Sequence, residues 1–537
     1  MIPGSFCTIA TKATSFELFG LLLSIGIHHP DAKVFVMCDS YTKNYIKSAT
    51  PKPNINIHWR TQLDEYTDLD RNAMESKGLF LQFLMNKIAV MKFALKHVGD
   101  TLFLDSDIVL FSPITQIDKN KKVGVSKQYL VEKSLKETGY FNAGMIWTNN
   151  IQVCNDWKSY CKTSHYYEQS AIESVVNKYS SFTFGEECNI QSWRYHFNNE
   201  IGVPLEKYFN ASQNGSITYK GKEVVCIHTH FKDKRHSSFN NLILKYLVLA
   251  KRYKELLIIS RIIADRWVLQ IPTNGHQDSF RELALMLGEK NADVSIQKTK
   301  GNYCQILPNI ILYDYPTLEW IDKSVISSSL LLLGNGDVKE EGNIVREKTG
   351  LHVLPWIFWP KHSRILETFL TSHPSLRYSQ RKTESIFIGK IENKEQYKHR
   401  KSFIDEWSEA VTLFECVINK PHSYSQNDYL ELLRNSRYGL CIRGYGKKCH
   451  REIELMALGT VPIVTDDVNT SSFLEPLVEK THYFKASSPT EFKKIINKTN
   501  QETWKKMSIA CQEWYMRNIH SSNAWNSMIS KILFTHE

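Results

Sequence analysis

The feature that most constrains this chain is a repeated alternation. A short apolar run is followed by a stretch with helical spacing and then by another apolar run, with a carboxylate often standing where a run ends. Phe6-Cys-Thr-Ile-Ala10 reads as a buried strand, and Ser15 to Ile27 follows with Phe16, Phe19, Leu22 and Leu23 on one helical face. Lys33-Val-Phe-Val-Met-Cys38 is a second strand, closed by Asp39, and Ile55 to Trp59 is a third. Leu79 to His97 reads as one long helix, and Thr101 to Leu104 as a fourth strand ending at Asp105. This order predicts an α/β fold, with a largely parallel sheet covered by helices on both faces. Ligands of such sheets sit outside the carboxyl ends of the strands, where Asp39 and Asp105 fall.

Further strands are expected at Val123–Val125, Gly144–Trp147 and Val224–His228, and Leu242 to Ala264 reads as an amphipathic helix with a basic outer face. The alternation then restarts. Strands at Trp267–Ile271, Ile310–Leu312, Ser328–Leu333 and His352–Phe358 form one group, with helices at Ser279–Gly288 and Ser363–Thr371. A second group opens with Ser385-Ile-Phe-Ile-Gly389. It continues through helices at Lys401–Ala410, Asn427–Asn435 and Arg451–Leu458 and strands at Tyr438–Ile442 and Val461–Thr465. A length of 537 residues suits several domains. The expected division is a domain at 1–245, a helical connector at 246–265, and two smaller α/β lobes at 266–380 and 381–537.

Composition excludes more than it selects. Apolar residues at 42% and charged residues at 23% describe an ordinary globular protein. The net charge of +11 suits phosphate-bearing ligands, but the basic residues are scattered and no nucleic-acid-binding signature is present. Eleven cysteines without a CxxC pair point to a reduced, intracellular protein with mostly inert, buried thiols. The apolar stretch Leu18–Ile27 is too short to span a bilayer and lacks the flanks of a signal peptide. A cytoplasmic location, or a viral or bacterial enzyme, is therefore expected, and the sequons at Asn210, Asn214, Asn469 and Asn497 read as chance matches.

The first chemical constellation is Leu102-Phe-Leu-Asp-Ser-Asp-Ile-Val-Leu110. Side chains two apart in an extended chain point the same way, so Asp105 and Asp107 can meet one hard cation. A divalent cation so placed can bridge a diphosphate and neutralise its charge as it departs. Alone, the pair fits a capping turn equally well. Together with Tyr140-Phe-Asn-Ala-Gly144, however, it resembles the GT-A nucleotide-diphospho-sugar transferases, in which a DxD motif is followed by an F-N-[AS]-G segment lining the donor-sugar pocket. The resemblance covers roughly residues 1–245 and implies a Rossmann-like mixed sheet. It further implies donor contacts from Asp105, Ser106, Asp107, Asn142, Ala143 and Gly144, and catalytic roles for Glu168 and Gln169 within Tyr167-Glu-Gln169. The metal set it implies is Asp105, Asp107 and a histidine of Val224-Val-Cys-Ile-His-Thr-His230. Either His228 or His230 can serve, and His228 is favoured because it directly ends the strand. An imidazole beside two carboxylates suits Mn²⁺ better than Mg²⁺. Lys87 matches a basic position near the donor, and Thr8, Lys12, Asp39 and Lys232 (or Lys234) complete the expected donor contacts. A general base for inverting transfer has four candidates, Glu168, Glu173, Glu186 and Glu187, among which spacing does not choose.

The second constellation is Tyr438-Gly-Leu-Cys-Ile-Arg-Gly-Tyr-Gly446, a strand running into a glycine loop, followed by Arg451-Glu-Ile-Glu454. Glycines let backbone N–H groups approach an anion, and a helix start favours negative charge. Arg451, Glu454, Gly459 and Pro462, with Arg443, Gly444, the Ile386-Phe-Ile-Gly389 strand and Arg400, resemble the exostosin-like glycosyltransferases. In that family the C-terminal lobe is the nucleotide-binding half of a GT-B fold. Donor contacts are implied for Arg400, Arg443, Gly444, Arg451 and Glu454, with no cofactor. The lobe at 266–380 is compatible with the acceptor half, where His276 reads as a solvated loop histidine, with an acceptor-side base as the alternative.

The sequence therefore predicts a bifunctional glycosyltransferase that uses nucleotide-sugar donors and a glycan or glycoprotein acceptor, without nucleic acid. The alternatives are one active domain beside an acceptor-binding module, a lectin-like module without turnover, and a sugar nucleotidyltransferase. The last is disfavoured because Ala10-Thr-Lys-Ala-Thr14 after the first strand has no glycine run.

Overall fold

The computed structural model describes residues 1–195, 204–273, 278–300, 304–307, 309–313, 329–334, 353–391, 394–444 and 446–535. Two compact units divide the chain: Met1–Arg266 with Ile532–Glu537, and Trp267–Lys531.

The first unit is built on a seven-stranded sheet. Its strands are Phe6–Ala10 (β1), Lys33–Cys38 (β2), Asn56–Thr61 (β3), Thr101–Leu104 (β4), Val123–Lys127 (β6), Phe141–Thr148 (β7) and Ser181–Phe184 (β8), in the order β3-β2-β1-β4-β7-β6-β8. The first four strands pair in parallel, and β1 and β4 are buried along their whole length, which is why they read as continuous apolar runs. The sheet is not parallel throughout. β7 lies between β4 and β6 and is antiparallel to both. Its pairing with β6 shifts between Val125, opposite Ile146, and Ser126, opposite Asn142. In that register Ala143, Gly144 and Met145 have no partner on β6, and the strand bends there toward the end of β4.

A small second sheet carries Ile108–Leu110 (β5), Ile190–Gln191 (β9) and the strand Cys226–His228 between them. The core fills the space between the main sheet and its helices, with Phe35, Phe103, Ile146, Met91 and Trp157 at its centre.

Two helical expectations give way. Leu79 to His97 is two helices, Phe80–Leu84 and Asn86–Leu95. The Asn86 amide bonds the carbonyls of Gln82 and Phe83 at 3.3 and 3.0 Å, competing with the helical ladder where the break falls. Leu242 to Ala264 is likewise two helices, Ser237–Leu249 and Tyr253–Ala264, separated at Lys251 with φ of 56°. The second of these packs on the helix Ser15–His28 at Gly20, where a Cβ would come within 2.3 Å of Ile262 Cδ1. Both helices belong to the first unit, and the second buries Leu256, Leu257, Ile258 and Ile259.

The second unit holds two sheets. One runs Val294–Thr299, Trp267–Pro272, Cys304–Ile306, Ile310–Tyr313, Leu330–Leu333, Val353–Pro355, with the short Cys304–Ile306 antiparallel to both neighbours. The other is parallel throughout, in the order Leu413–Ile418, Thr383–Ile391, Ser436–Cys441, Val461–Val464, Phe484–Lys485. Among the described residues no helix is long and apolar enough to cross a membrane.

Candidate metal centre and cleft

The turn after β4 sets the site. Asp105 N donates to Gly144 O at 2.9 Å, which ties the strand end to the bend in β7. Ile108 N donates back to Asp105 O at 3.2 Å, closing a tight turn that delivers both aspartates to one side. β5 then pairs antiparallel with Cys226–His228, placing His228 opposite Ile108. Asp105, Asp107 and His228 therefore converge, each offering one ligand atom within 4.8 Å of the others. His228 Nε2 lies 3.1 Å from Asp107 Oδ1 and 3.8 Å from Asp105 Oδ2. His230 Nδ1 lies 2.9 Å from the other oxygen of Asp107, Oδ2.

Gly144 is required by this convergence. A Cβ there would come within 2.4 Å of His228 Cε1 and 2.6 Å of Asp105 Oδ2. Its neighbours are fixed by amides. Asn142 Oδ1 accepts from Gly144 N at 3.0 Å and from Asn189 Nδ2 at 3.1 Å, and the Gln169 carboxamide receives Ala143 N at 3.3 Å while donating to Thr138 O at 2.7 Å.

Lys87 is buried beneath the site. Its ammonium sits 3.0 Å from Asp105 Oδ1 and 3.0 Å from Glu168 Oε1. Burial pulls its pKa down, but the two carboxylates outweigh that and hold it above the usual lysine value. Burial likewise works against ionised Asp107, yet the facing His228 and His230 imidazoles bring its carboxyl well below the ordinary range. Burial lowers His230, and the Asp107 carboxylate more than offsets this, so its pKa is raised.

The triad stands in a cleft of about 1010 Å³. One wall comes from Ile9, Thr11, Ala13 and Thr14, a second from residues between Leu69 and Leu84, and a third from Tyr166, Tyr167, Glu168 and Gln169. Trp193 closes a further side, its ring 4.8 Å from that of His228 and stacked at 5.9 Å on that of His230.

The residues present fit a divalent cation. Five carboxylates line the cleft (Asp70, Asp105, Asp107, Glu168 and Asp233) against three basic side chains, Arg71, Lys87 and Arg235. Three histidines, His228, His230 and His236, line it as well. The 3.1 Å approach of His228 Nε2 to Asp107 Oδ1 needs a proton between them, and a cation can take that proton's place.

Of the residues expected from the sequence, Asp105, Ser106, Asp107, Asn142, Lys87, Glu168, Gln169 and His228 line this cleft. Ala143 and Gly144 form the bend of β7 beside it, and four others lie elsewhere. Thr8 is buried within β1. Asp39 caps the helix Ser40–Ser48, one oxygen accepting Thr42 N at 2.7 Å and the other Lys12 N at 2.9 Å. The Lys12 ammonium pairs with Asp68 at 2.8 Å, and Lys232 pairs with Asp265 and covers the Phe16 ring. Glu168 and Gln169 do face the cleft, but with carboxylate and carboxamide already engaged.

In the second unit the expected donor residues meet backbone. Arg400 donates to the carbonyls of Arg443 (3.0 Å) and Lys390, and Arg451 donates twice to Ile388 O at 3.1 and 2.7 Å. Glu454 accepts from Tyr429 Oη at 2.9 Å and Lys361 N at 3.3 Å. Gly444 packs against Cys449 and Arg400, where a Cβ would come within 2.7 Å of Sγ. Arg443 Nε and Arg451 Nη1 are buried without a partner among the described residues. His276 lies outside the described residues.

Sequence reasoning missed Trp193, Asn189 and the Arg71 and Arg235 side chains of the cleft. None sits in a recognisable local motif. Trp193 follows the strand Ile190–Gln191, Arg71 opens the helix Arg71–Ser76, and Arg235 lies in the helical turn Lys234–His236.

No family model matches the chain and no curated protein matches it. Among solved structures, the glycosyltransferase GlyE of Streptococcus pneumoniae TIGR4 aligns over 66% of this chain and 92% of its own, at 12% identity and a TM-score of 0.29. The galactosyltransferase LgtC in complex with donor and acceptor sugar analogues aligns over 47% and 94%, at 15% identity and 0.30. Mouse xyloside xylosyltransferase 1 aligns over 42% and 98%, at 11% identity and 0.30.

Proposed function

We propose that the first unit is a metal-dependent GT-A-type glycosyltransferase domain that takes a nucleotide-diphospho-sugar and passes its sugar to a glycan acceptor. The observation that carries this reading is the convergence of Asp105, Asp107 and His228 at one end of a large cleft with an excess of carboxylates. Mn²⁺ is the expected ion, given two carboxylates and one imidazole. Once bound, it would neutralise the negative charge of the departing diphosphate. The chain's own residues do the rest. Lys87 and Glu168 hold Asp105 in place from below, and Gly144 leaves room for the convergence. The amides of Asn142 and Gln169 fix the bend that faces the bound sugar.

The second unit is proposed as a GT-B-like, exostosin-type domain with a metal-independent nucleotide site. Arg443 and Arg451 support this part of the reading, because each keeps a buried guanidinium nitrogen without a partner among the described residues beside a glycine loop. The whole chain is then a two-enzyme transferase.

The test is nucleoside diphosphate release from UDP- and GDP-sugars, with Mn²⁺ or with EDTA. The expected result is Mn²⁺-dependent release that Asp105→Asn or Asp107→Asn removes. Binding of the sugar nucleotide without release would make the unit a non-catalytic module. Release that survives both substitutions would place the chemistry elsewhere. For the second unit, Arg443→Ala should remove a separate transfer, and loss of one and the same transfer in both sets of variants would end the two-enzyme reading.

A further inference from the structure

Asp107 has one carboxylate oxygen facing His228 and the other facing His230. The two histidines are not equivalent. His228 is buried in its strand, and its Nε2 reaches toward both aspartates. His230 lies two residues on, its side chain 47% exposed, and it contacts only the outer oxygen of Asp107. Its ring is set by stacking on Trp193 and by the edge of His236, which is itself held by Ser192 Oγ at 2.9 Å. The backbone repeats the link, since Thr229 N donates to Asp107 O at 3.3 Å.

Asp105 differs: the Lys87 ammonium lies 3.0 Å from its Oδ1 and 3.2 Å from its Oδ2, the oxygen that also faces His228. Of the two, Asp107 is the carboxylate with one oxygen beside His228 and the other tied to a separate anchor. We infer that His230 is a positioning residue: its Nδ1–H fixes the rotamer of Asp107 so that Oδ1, beside His228 Nε2, is offered to a divalent cation, while His230 stays outside the coordination shell. Outer partners of this kind typically change metal affinity by about 10- to 100-fold when removed. This rests on the metal-site reading above and deepens it.

The experiment measures Mn²⁺ affinity of the full chain by the EPR signal of free Mn²⁺. It also counts directly bound imidazole nitrogen by electron spin-echo modulation. Wild type, His228→Ala, His230→Ala and His230→Asn are compared, with thermal melting as a check on folding. Asn is chosen because its side-chain amide nitrogen stands where Nδ1 does. Wild type is expected to bind one Mn²⁺ with one coupled imidazole. His228→Ala should lose the coupling and the binding. His230→Ala should bind about 10- to 100-fold more weakly with the coupling intact, and His230→Asn should recover most of the loss. Unchanged affinity in His230→Ala would overturn the inference. So would loss of the imidazole coupling in that variant, which would make His230 a ligand. A wild-type chain that binds no Mn²⁺ would instead overturn the metal-site reading itself.

Discussion

The carboxylate cleft of the first unit and the arginine–glycine loop of the other unit share a sequence pattern, since each places charged residues just after a buried strand. They differ in what those charges face. In the first unit Asp105 and Asp107 turn toward an open cleft and toward each other, with counter-charges tied to their outer sides. In the other, Arg400 and Arg451 turn inward to carbonyls of the neighbouring strand and loop, and Glu454 is closed off by Tyr429 and Lys361. Like charges gathered around a cavity need an added ion or ligand. Groups satisfied by backbone need none and hold a loop in shape, which leaves Arg443 Nε and Arg451 Nη1, unpartnered among the described residues, as the atoms a ligand would meet there.

The largest effects should break the contrast most cleanly. Asp105→Asn and Asp107→Asn are expected to lower Mn²⁺-dependent diphosphate release about a thousandfold, or about 4 kcal/mol in the barrier. Arg451→Ala should leave that release intact and instead destabilise the second unit by about 1.5–3 kcal/mol, read by denaturant unfolding, because the Ile388 carbonyl and the Phe387 ring lose their partner. If Arg451→Ala unfolds nothing and abolishes a transfer, the second site is as open as the first.

Gly144→Ala comes next. The added methyl meets His228 and Asp105 inside contact distance, so Mn²⁺ affinity should fall about tenfold or more while the melting temperature moves by only a few degrees.

A pH test follows. Burial pushes the Glu452 carboxyl up to about 7, with one oxygen capping Cys449 N and the other unpartnered among the described residues. A raised folded-state pKa means that the stabilising contribution is present below the unfolded value and is lost as the pH rises to about 7. Melting of wild type between pH 4.5 and 7 should therefore show a fall that Glu452→Gln flattens. The smallest effect is expected from Lys12→Ala, whose partner Asp68 is exposed. Diphosphate release within twofold of wild type would confirm that this ion pair stands apart from the donor.

Much of the fold was legible. β1, β2 and β4 read correctly because a strand buried on both faces is apolar at nearly every position, here all but Thr8, Lys33 and Thr101. β7 read only in part, as Gly144–Trp147. Its first residues, Phe141 to Ala143, carry a turn-like composition, and its antiparallel direction depends on which strands it lies between. The helix breaks near Asn86 and Lys251 were hidden for a related reason: apolar spacing continues across them, while a side-chain bond or a left-handed residue interrupts the ladder.

For the candidate site, the sequence by itself determined the ingredients: two aspartates on one side of a strand end, a small-residue segment that can approach them, and a histidine at another strand end. Only the tertiary structure decided their relations. It separated His228 from His230 by the register of β5 against Cys226–His228, committed Asp39 to a helix cap, and placed Lys87 on Asp105 and Glu168. The physical reason is range. Periodicity records whether a position is buried, which is a local property. Which charge meets which is set by how separate segments pack, as β5 does against Cys226–His228 more than a hundred residues on, where a register shift of one residue turns every side chain to the opposite face.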